Sequence, residues 1–252
     1  MGEYSKALEY YEKAHKIYEQ SLPPTHPSLA TSYKNIGRVY SHMGEYSEAL
    51  ECYEKACKIY EQSLPPTHPA FSSVYSYLGR VHRYLKDYPK ALMFFEKTLE
   101  IDRNIFCERH PYMGITYANV GDVHRLSGEI KLGLDFLEKA RYILENVTCD
   151  PVCIAWTYDY LGETYFAMKD YARALEFHGK ALKIREKCLP AMHPYIAEAQ
   201  HHLAEVYKEM KQYNTAYEHA QRAVEIAQEK LPGTHPYLLE YRKTVTDIQM
   251  KL

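Results

Sequence analysis

The sequence predicts an all-α protein made of repeated helix pairs, and three observations carry that prediction. Laid under residues 43–69, residues 1–27 differ only at Lys6/Glu48, Tyr10/Cys52 and His15/Cys57, so 24 of 27 positions match and the chain contains a duplication. A His-Pro pair recurs at His26-Pro27, His68-Pro69, His110-Pro111, His193-Pro194 and His235-Pro236, spaced by 42, 42, 83 and 42 residues, with a worn copy at Cys149-Asp150-Pro151 inside the long interval. Within one unit, Tyr33, Ile36, Gly37 and Tyr40 stand at i, i+3, i+4 and i+7, and Tyr46, Ala49, Leu50, Tyr53, Ala56 and Tyr60 continue the helical period. Hardly any stretch alternates with the period of two that a strand requires.

Taken in order, residues 1–22 read as the second helix of a pair whose first helix is missing. In the first full pair, helix A begins after Pro27, whose fixed φ and absent N–H suit the first helical position, and ends near His42, where Gly44 can make the tight connection. Helix B runs from about Glu45 to Ser63 and is stopped by Pro65-Pro66. The same signals give full pairs at 28–63, 70–105, 112–146, 152–188 and 195–230, and a terminal helix A at 237–252. Small residues recur at Gly37, Gly79, Gly121, Gly162 and Ala204 on helix A, and at Ala7, Ala49, Ala91, Gly133, Ala174 and Ala216 on helix B. Two helices approach to about 8 Å where side chains this small face each other. Tyr33, Tyr75, Tyr117 and Tyr158 on A, with Tyr11, Tyr53, Phe95 and Leu137 on B, are the filling beside them, so most of the 26 tyrosines are packing.

Stacked pairs share one core, so 1–252 reads as a single array without an interior boundary. Its weakest joint, with a local change of path, is expected around Ile130, Gly133 and the short linker Asn146–Pro151. The first helix leaves Tyr4, Leu8, Tyr11 and Ile17 partly uncovered, which predicts either a piece of a longer chain or an edge that meets another molecule.

Composition removes several function classes. The chain is 46% apolar and 25% charged, with 31 basic and 33 acidic side chains for a net charge of −2, values of a folded globular chain. A near-neutral balance gives no electrostatic case for nucleic acid or an anionic membrane. No apolar stretch approaches the ~18 residues of a membrane span and the N-terminus lacks a signal-peptide pattern, so a cytoplasmic location is expected. The six cysteines form no CxxC pair, so they are expected to be free thiols. No GxSxG and no phosphate-binding glycine loop is present, and a non-catalytic chain with no cofactor and no small-molecule substrate is expected. The His-Pro histidines are read as helix caps, because copies one repeat apart, roughly 10 Å, are too far apart to share a metal. His201, His202 and Glu205 lack the HExxH spacing, so no metal is assigned to them, and the sequon Asn146-Val147-Thr148 is taken as accidental.

The pattern Tyr33-x2-Ile36-Gly37-x2-Tyr40 followed by Ala49-x3-Tyr53-x2-Ala56 resembles the tetratricopeptide repeat (TPR). The 42-residue period, the long helix B and the linker Leu64-Pro65-Pro66-Thr67-His68-Pro69 are similar to the variant found in kinesin light chains and nephrocystin-type proteins. Two departures stand beside this: Glu61 replaces the proline that usually closes such a unit, and the kinesin light chain's N-terminal heptad region is not in the sequence. The resemblance implies a right-handed α-α superhelical solenoid in which helix A lines a concave, peptide-binding groove.

Carried onto this chain, the groove positions give Lys34, Asn35 and Arg38 in the first full pair and Tyr77, Arg80 and Arg83 in the second. They give Asn119, Asp122 and Arg125 in the third, Tyr160 and Glu163 in the fourth, and His202 and Glu205 in the fifth. The first two pairs contribute Lys34, Arg38, Arg80 and Arg83, and the last two Asp159, Glu163, Glu205 and Glu209 against Lys208, so the groove is expected to be bipolar. Tyr77, Tyr84, Tyr160 and Phe166 interleave rings with these charges, and Asn35 and Asn119 occupy the place of the resembling family's backbone-holding asparagines. The expected function is a protein-interaction scaffold that binds short acidic or acidic-aromatic segments, with kinesin-light-chain-like cargo or adaptor recognition as one form. The rival is a structural or regulatory array that self-associates through its edges or restrains an adjacent catalytic or nucleotide-binding domain.

Overall fold

The computed structural model describes residues 2–252, with side chains from Tyr4 onward; Met1, the counterpart of Met43 in the duplication, lies outside them. Among the described residues there are twelve α-helices and no strand. They are α1 (Gly2–Ser21), α2 (Pro27–Met43), α3 (Tyr46–Ser63), α4 (Pro69–Tyr84), α5 (Tyr88–Ile105), α6 (Pro111–Leu126), α7 (Ile130–Glu145), α8 (Pro151–Ala167), α9 (Tyr171–Cys188), α10 (Pro194–Glu209), α11 (Tyr213–Lys230) and α12 (Pro236–Gln249). No helix among them is long and apolar enough to cross a membrane.

The helix starts follow from the linker chemistry. Each His-Pro histidine is extended or turn backbone ahead of a helix, and its Nδ1 accepts the N–H two residues on: His26 from Ser28, His110 from Tyr112, His193 from Tyr195 and His235 from Tyr237 at 3.2 Å, and His68 from Ala70 at 3.1 Å. Asp150 replaces histidine in the worn linker and accepts from Val152 at 2.9 Å, so a carboxylate supplies the same cap. The connection from helix A to helix B uses one left-handed residue per pair, Gly44 at φ 80° and Gly128 at φ 93°, and in the other pairs Lys86, Lys169 and Lys211 at φ 61–62°.

Two compact units make up the chain, Met1–Val123 and His124–Leu252, a division the repeat pattern does not announce. In the first unit Tyr53, Ala56, Tyr60, Phe71, Val74 and Leu78 form a core between α2, α3, α4 and α5. In the second, Ile196, Ala223, Ile226, Leu231, Leu238 and Tyr241 fill the space between α10, α11 and α12, and Ala204, Ala216, Ala220 and Ile248 continue it. The helix A glycines face large rings of helix B and not its small residues, so the close approach is small against large. A Cβ built on Gly37 would stand 2.9 Å from the Tyr53 ring, one on Gly79 would stand 2.7 Å from Phe95, and one on Gly162 would stand 2.6 Å from His178. The cysteines are free.

Candidate functional site

In the first unit the helix A positions of α2 and α4 carry Lys34, Asn35, Arg38, Tyr77 and Arg80. Lys34 is half-buried and its ammonium donates to Ser73 Oγ at 3.1 Å. Burial, reinforced by the neighbouring Arg38, pulls the Lys34 pKa below the usual lysine value. Burial also works against the charge of Arg38, but the hydroxyls of Tyr77 and Tyr11 more than offset it and raise its pKa. Arg83 behaves differently, because its guanidinium is ion-paired to the fully buried Asp122 of α6. Asn119 is buried as well. The third-pair positions Asn119 and Asp122 are therefore inside the packing, and Asp122 neutralises one of the four basic groups read as groove charges.

Beside Tyr77 and Arg80 lies a pocket of ≈ 380 Å³ whose wall includes Ser73, Ser76, Ile105, Phe106, Tyr112 and Ile115. Tyr112 is one of the exposed large apolar side chains, and it meets the Phe106 ring edge-on at 5.3 Å. An apolar hollow with a guanidinium at its border can seat a ring and hold an adjacent carboxylate.

In the second unit Arg125 lies 3.7 Å from Glu163, and Glu205 accepts from Lys208 at 2.5 Å and from Thr244 at 2.9 Å. Tyr160, at its groove position, stacks obliquely on Trp156 with centroids 6.3 Å apart. A pocket of ≈ 340 Å³ between α8, α10 and α12 is lined by Glu163, Glu205, Glu240, His202, Tyr237 and Tyr241 among others.

Under that pocket sits a charged cluster that the sequence reading does not assemble. Asp159 Oδ1 is 3.1 Å from His178 Nδ1 and 3.5 Å from His202 Nδ1, and the two imidazole centroids are 4.9 Å apart. The other oxygen, Oδ2, is 2.6 Å from Arg185 Nη2. The Arg185 guanidinium lies 4.6 Å over the Trp156 ring, and its Nη1 donates to the Tyr195 carbonyl at 2.8 Å. Asp159, His178 and Arg185 are fully enclosed. Burial alone would raise the Asp159 pKa, but the Arg185 charge and the two imidazoles hold its carboxyl well below the usual range. Burial opposes protonation of both rings. It wins at His178, whose pKa is lowered, and loses at His202, which Glu163 and Asp159 raise to about 9. His201 points away onto the Tyr241 ring, 4.5 Å distant, and burial brings its pKa down to about 3. His202 thus works with residues of α8 and α9, while His201 and Glu205 turn to other neighbours.

The repeat register holds the one signal that reveals this cluster. His178 stands where other pairs carry Tyr53, Phe95 and Leu137, and Arg185 stands where the first pair carries Tyr60. Charged or titratable residues at positions that are otherwise core must find partners, and Asp159 supplies them.

Comparison with known proteins agrees with the helix-pair fold. Family models described as tetratricopeptide repeat match residues 1–62 and 70–146, and a second such model matches 154–195 and 196–237. A search of curated proteins finds no match. Among solved structures, BtubC (BKLC) from P. vanneervenii is similar with TM-score 0.60 and 18% identity over 93% of this chain and 92% of that one. A kinesin light chain candidate from Podosopora anserina with nearly identical TPR-like repeats has TM-score 0.56 and 22% identity over 81% and 98%. The APC/C hetero-tetramer Cut9-Hcn1 has TM-score 0.64 and 15% identity, covering 98% of this chain and 40% of that one.

Proposed function

Because the chain belongs to the tetratricopeptide repeat family, whose repeats generally mediate contacts between proteins, we propose that it is a non-catalytic interaction module whose first unit binds a short extended segment bearing carboxylates and an aromatic side chain. The observation that carries this reading is the pocket beside Arg80. An aromatic side chain fits its apolar wall of Ile105, Phe106, Tyr112 and Ile115, while Arg80 lines it and Lys34 and Arg38 reach two other lining residues, Ser73 and Tyr77. The depressed Lys34 pKa is the mark of a cation pressed by burial and a like charge, and a partner carboxylate relieves both. Asn35 and Tyr77 lie between these cations in sequence register and offer an amide and a ring to the segment's backbone. Tyr160, Glu163, His202 and Glu205 of the second unit, with Arg125, are proposed to meet other parts of a partner. A cargo or adaptor segment of the kinesin-light-chain type is one form such a partner would take.

Magnitudes assign the roles. A micromolar complex needs about 8 kcal/mol. Exposed ion pairs give roughly 0.2–1 kcal/mol each and weaken with salt, whereas burying an aromatic side chain contributes roughly 1.5–3 kcal/mol. The ring is therefore the largest single contribution and the cations choose segment and direction.

Fluorescence anisotropy tests this with acidic-aromatic, basic and proline-rich peptides at low and high salt. The acidic-aromatic peptide is expected to bind, and Arg38→Glu/Arg80→Glu is expected to weaken it by about 10-fold or more at low salt. Tyr112→Ala should weaken binding equally at both salt concentrations. Equal binding of all three peptides, or indifference to the double variant, would remove this reading.

A further inference from the structure

We propose that Asp159 of α8, His178 of α9 and His202 of α10 form a binding site for a divalent transition-metal ion of the zinc class. Two imidazole nitrogens and one carboxylate oxygen are the borderline donors such ions prefer, and catalytic-type zinc sites use three protein ligands with a fourth position left open. A tetrahedral ion with ligand bonds of about 2.0–2.1 Å keeps its donors about 3.3 Å apart. The Asp159 Oδ1 distances to the two Nδ1 atoms, 3.1 and 3.5 Å, bracket that spacing, and all three donors lie within 4.8 Å of one another.

The surroundings fit the same assignment. Arg185 binds Asp159 Oδ2 at 2.6 Å, which fixes the carboxylate and leaves Oδ1 facing both rings. Glu163, one turn along α8, stands 3.6 Å from His178 Nε2 and 4.0 Å from His202 Nε2, so a side-chain shift of about 1 Å would let it receive the outer N–H of a ring whose Nδ1 is occupied. His178 is sealed in the packing, held there by the missing side chain of Gly162. His202 is part-exposed at the floor of the acid-lined ≈ 340 Å³ pocket, which gives a cation an entry path and gives His202 room to close the last of the distance. One proposed donor also points to an absent partner: the buried His202 Nδ1 makes no hydrogen bond, its contact with Asp159 Oδ1 being 3.5 Å. A bound ion would pin α8, α9 and α10 together, one ligand from each.

The test uses the whole chain stripped with a chelator and then titrated with Zn2+ or Co2+ alone. One ion per chain is expected by calorimetry, with the visible absorption of tetrahedral Co2+ and a rise of roughly 5 °C in the thermal midpoint at about 100-fold excess over Kd. His202→Ala, at the exposed end of the set, is expected to lower the affinity by about 100-fold, whereas His219→Gln leaves it unchanged. On the unaltered protein, long-range 1H–15N spectra are expected to shift the ring nitrogens of His178 and His202 together when Zn2+ is added. Absence of binding, binding indifferent to His202→Ala, or movement of a different pair of histidines would overturn the site.

Discussion

At the scale of single residues, the consequence of a side chain depends on what its repeat position faces. Gly79 and Gly179 are both glycines inside helices, where alanine is intrinsically favoured by about 1 kcal/mol. A Cβ on Gly79 would lie 2.7 Å from a Phe95 ring that has no freedom to withdraw, because Phe95 is fully buried. Overpacking of that kind costs about 1–3 kcal/mol, so Gly79→Ala is expected to destabilise the protein despite the helix propensity. Around Gly179 nothing lies within 4 Å of the added carbon, and Gly179→Ala should stabilise by up to about 1 kcal/mol. Urea unfolding of the two variants beside the parent checks the opposite signs, and a shift in the same direction for both would contradict the packing argument. Asp159 and Arg185 illustrate the other extreme. Removing one partner of a fully buried pair strands the other, so their identities are tied to each other more tightly than to the repeat.

At the scale of helices and pairs, buried and half-buried histidines between A and B helices link stability to pH. His82 on α4 stacks on Phe94 of α5 at 5.4 Å, and burial lowers its pKa; Asp87 and Glu54 oppose that shift and Lys90 adds to it. His219 on α11 stacks on Tyr207 at 5.4 Å and meets Gln200 Oε1 at 2.6 Å, and burial lowers its pKa against the pull of Glu218. A histidine whose pKa is depressed on folding binds its proton more readily in the unfolded chain. Its stabilisation is therefore complete above the ordinary value of about 6.5 and is lost as pH falls below it. Urea midpoints are expected to drop between pH 7.5 and 5, and His82→Leu with His219→Leu should flatten that drop. A midpoint that rises on acidification would mean that other groups, gaining protons on folding, outweigh these two rings. Much at this scale is legible in sequence, because caps, helix periods and the Gly-to-ring register are local or repeat at fixed offsets. His26, Pro27 and Gly44 announce their roles within a few residues. The pairing of Arg83 with Asp122 spans 39 positions, and the meeting of Asp159, His178, Arg185 and His202 joins three helices. Such contacts follow from stacking geometry, which no local spacing encodes. Charge read at the groove positions accordingly overstates what is available there, since Asp122 is buried and holds Arg83.

At the scale of the molecule, stability is set by neighbours, and the duplication provides an internal control for that statement. Residues of α1 and α3 are nearly identical, yet α1 packs on α2, whereas α3 packs on both α2 and α4. The same tyrosine is 40% exposed at Tyr18 and 2% exposed at Tyr60, and Tyr53 is fully buried where Tyr11 is only half-buried. Ile17 is 60% exposed, while its counterpart Ile59 packs against the core. With intrinsic propensities all but equal, any difference in protection between the two helices reports the second neighbour. Burying one tyrosine more fully contributes roughly 2 kcal/mol, which corresponds to about 30-fold in an opening equilibrium. Hydrogen exchange followed by mass spectrometry should find the amides of 4–20 exchanging at least about 30-fold faster than those of 46–62. Equal rates would mean that the helix sequence, and not its place in the array, sets local stability. A partner that covers Tyr10 and Ile17 would erase the difference, so the same measurement repeated with a bound protein reports whether that edge is used.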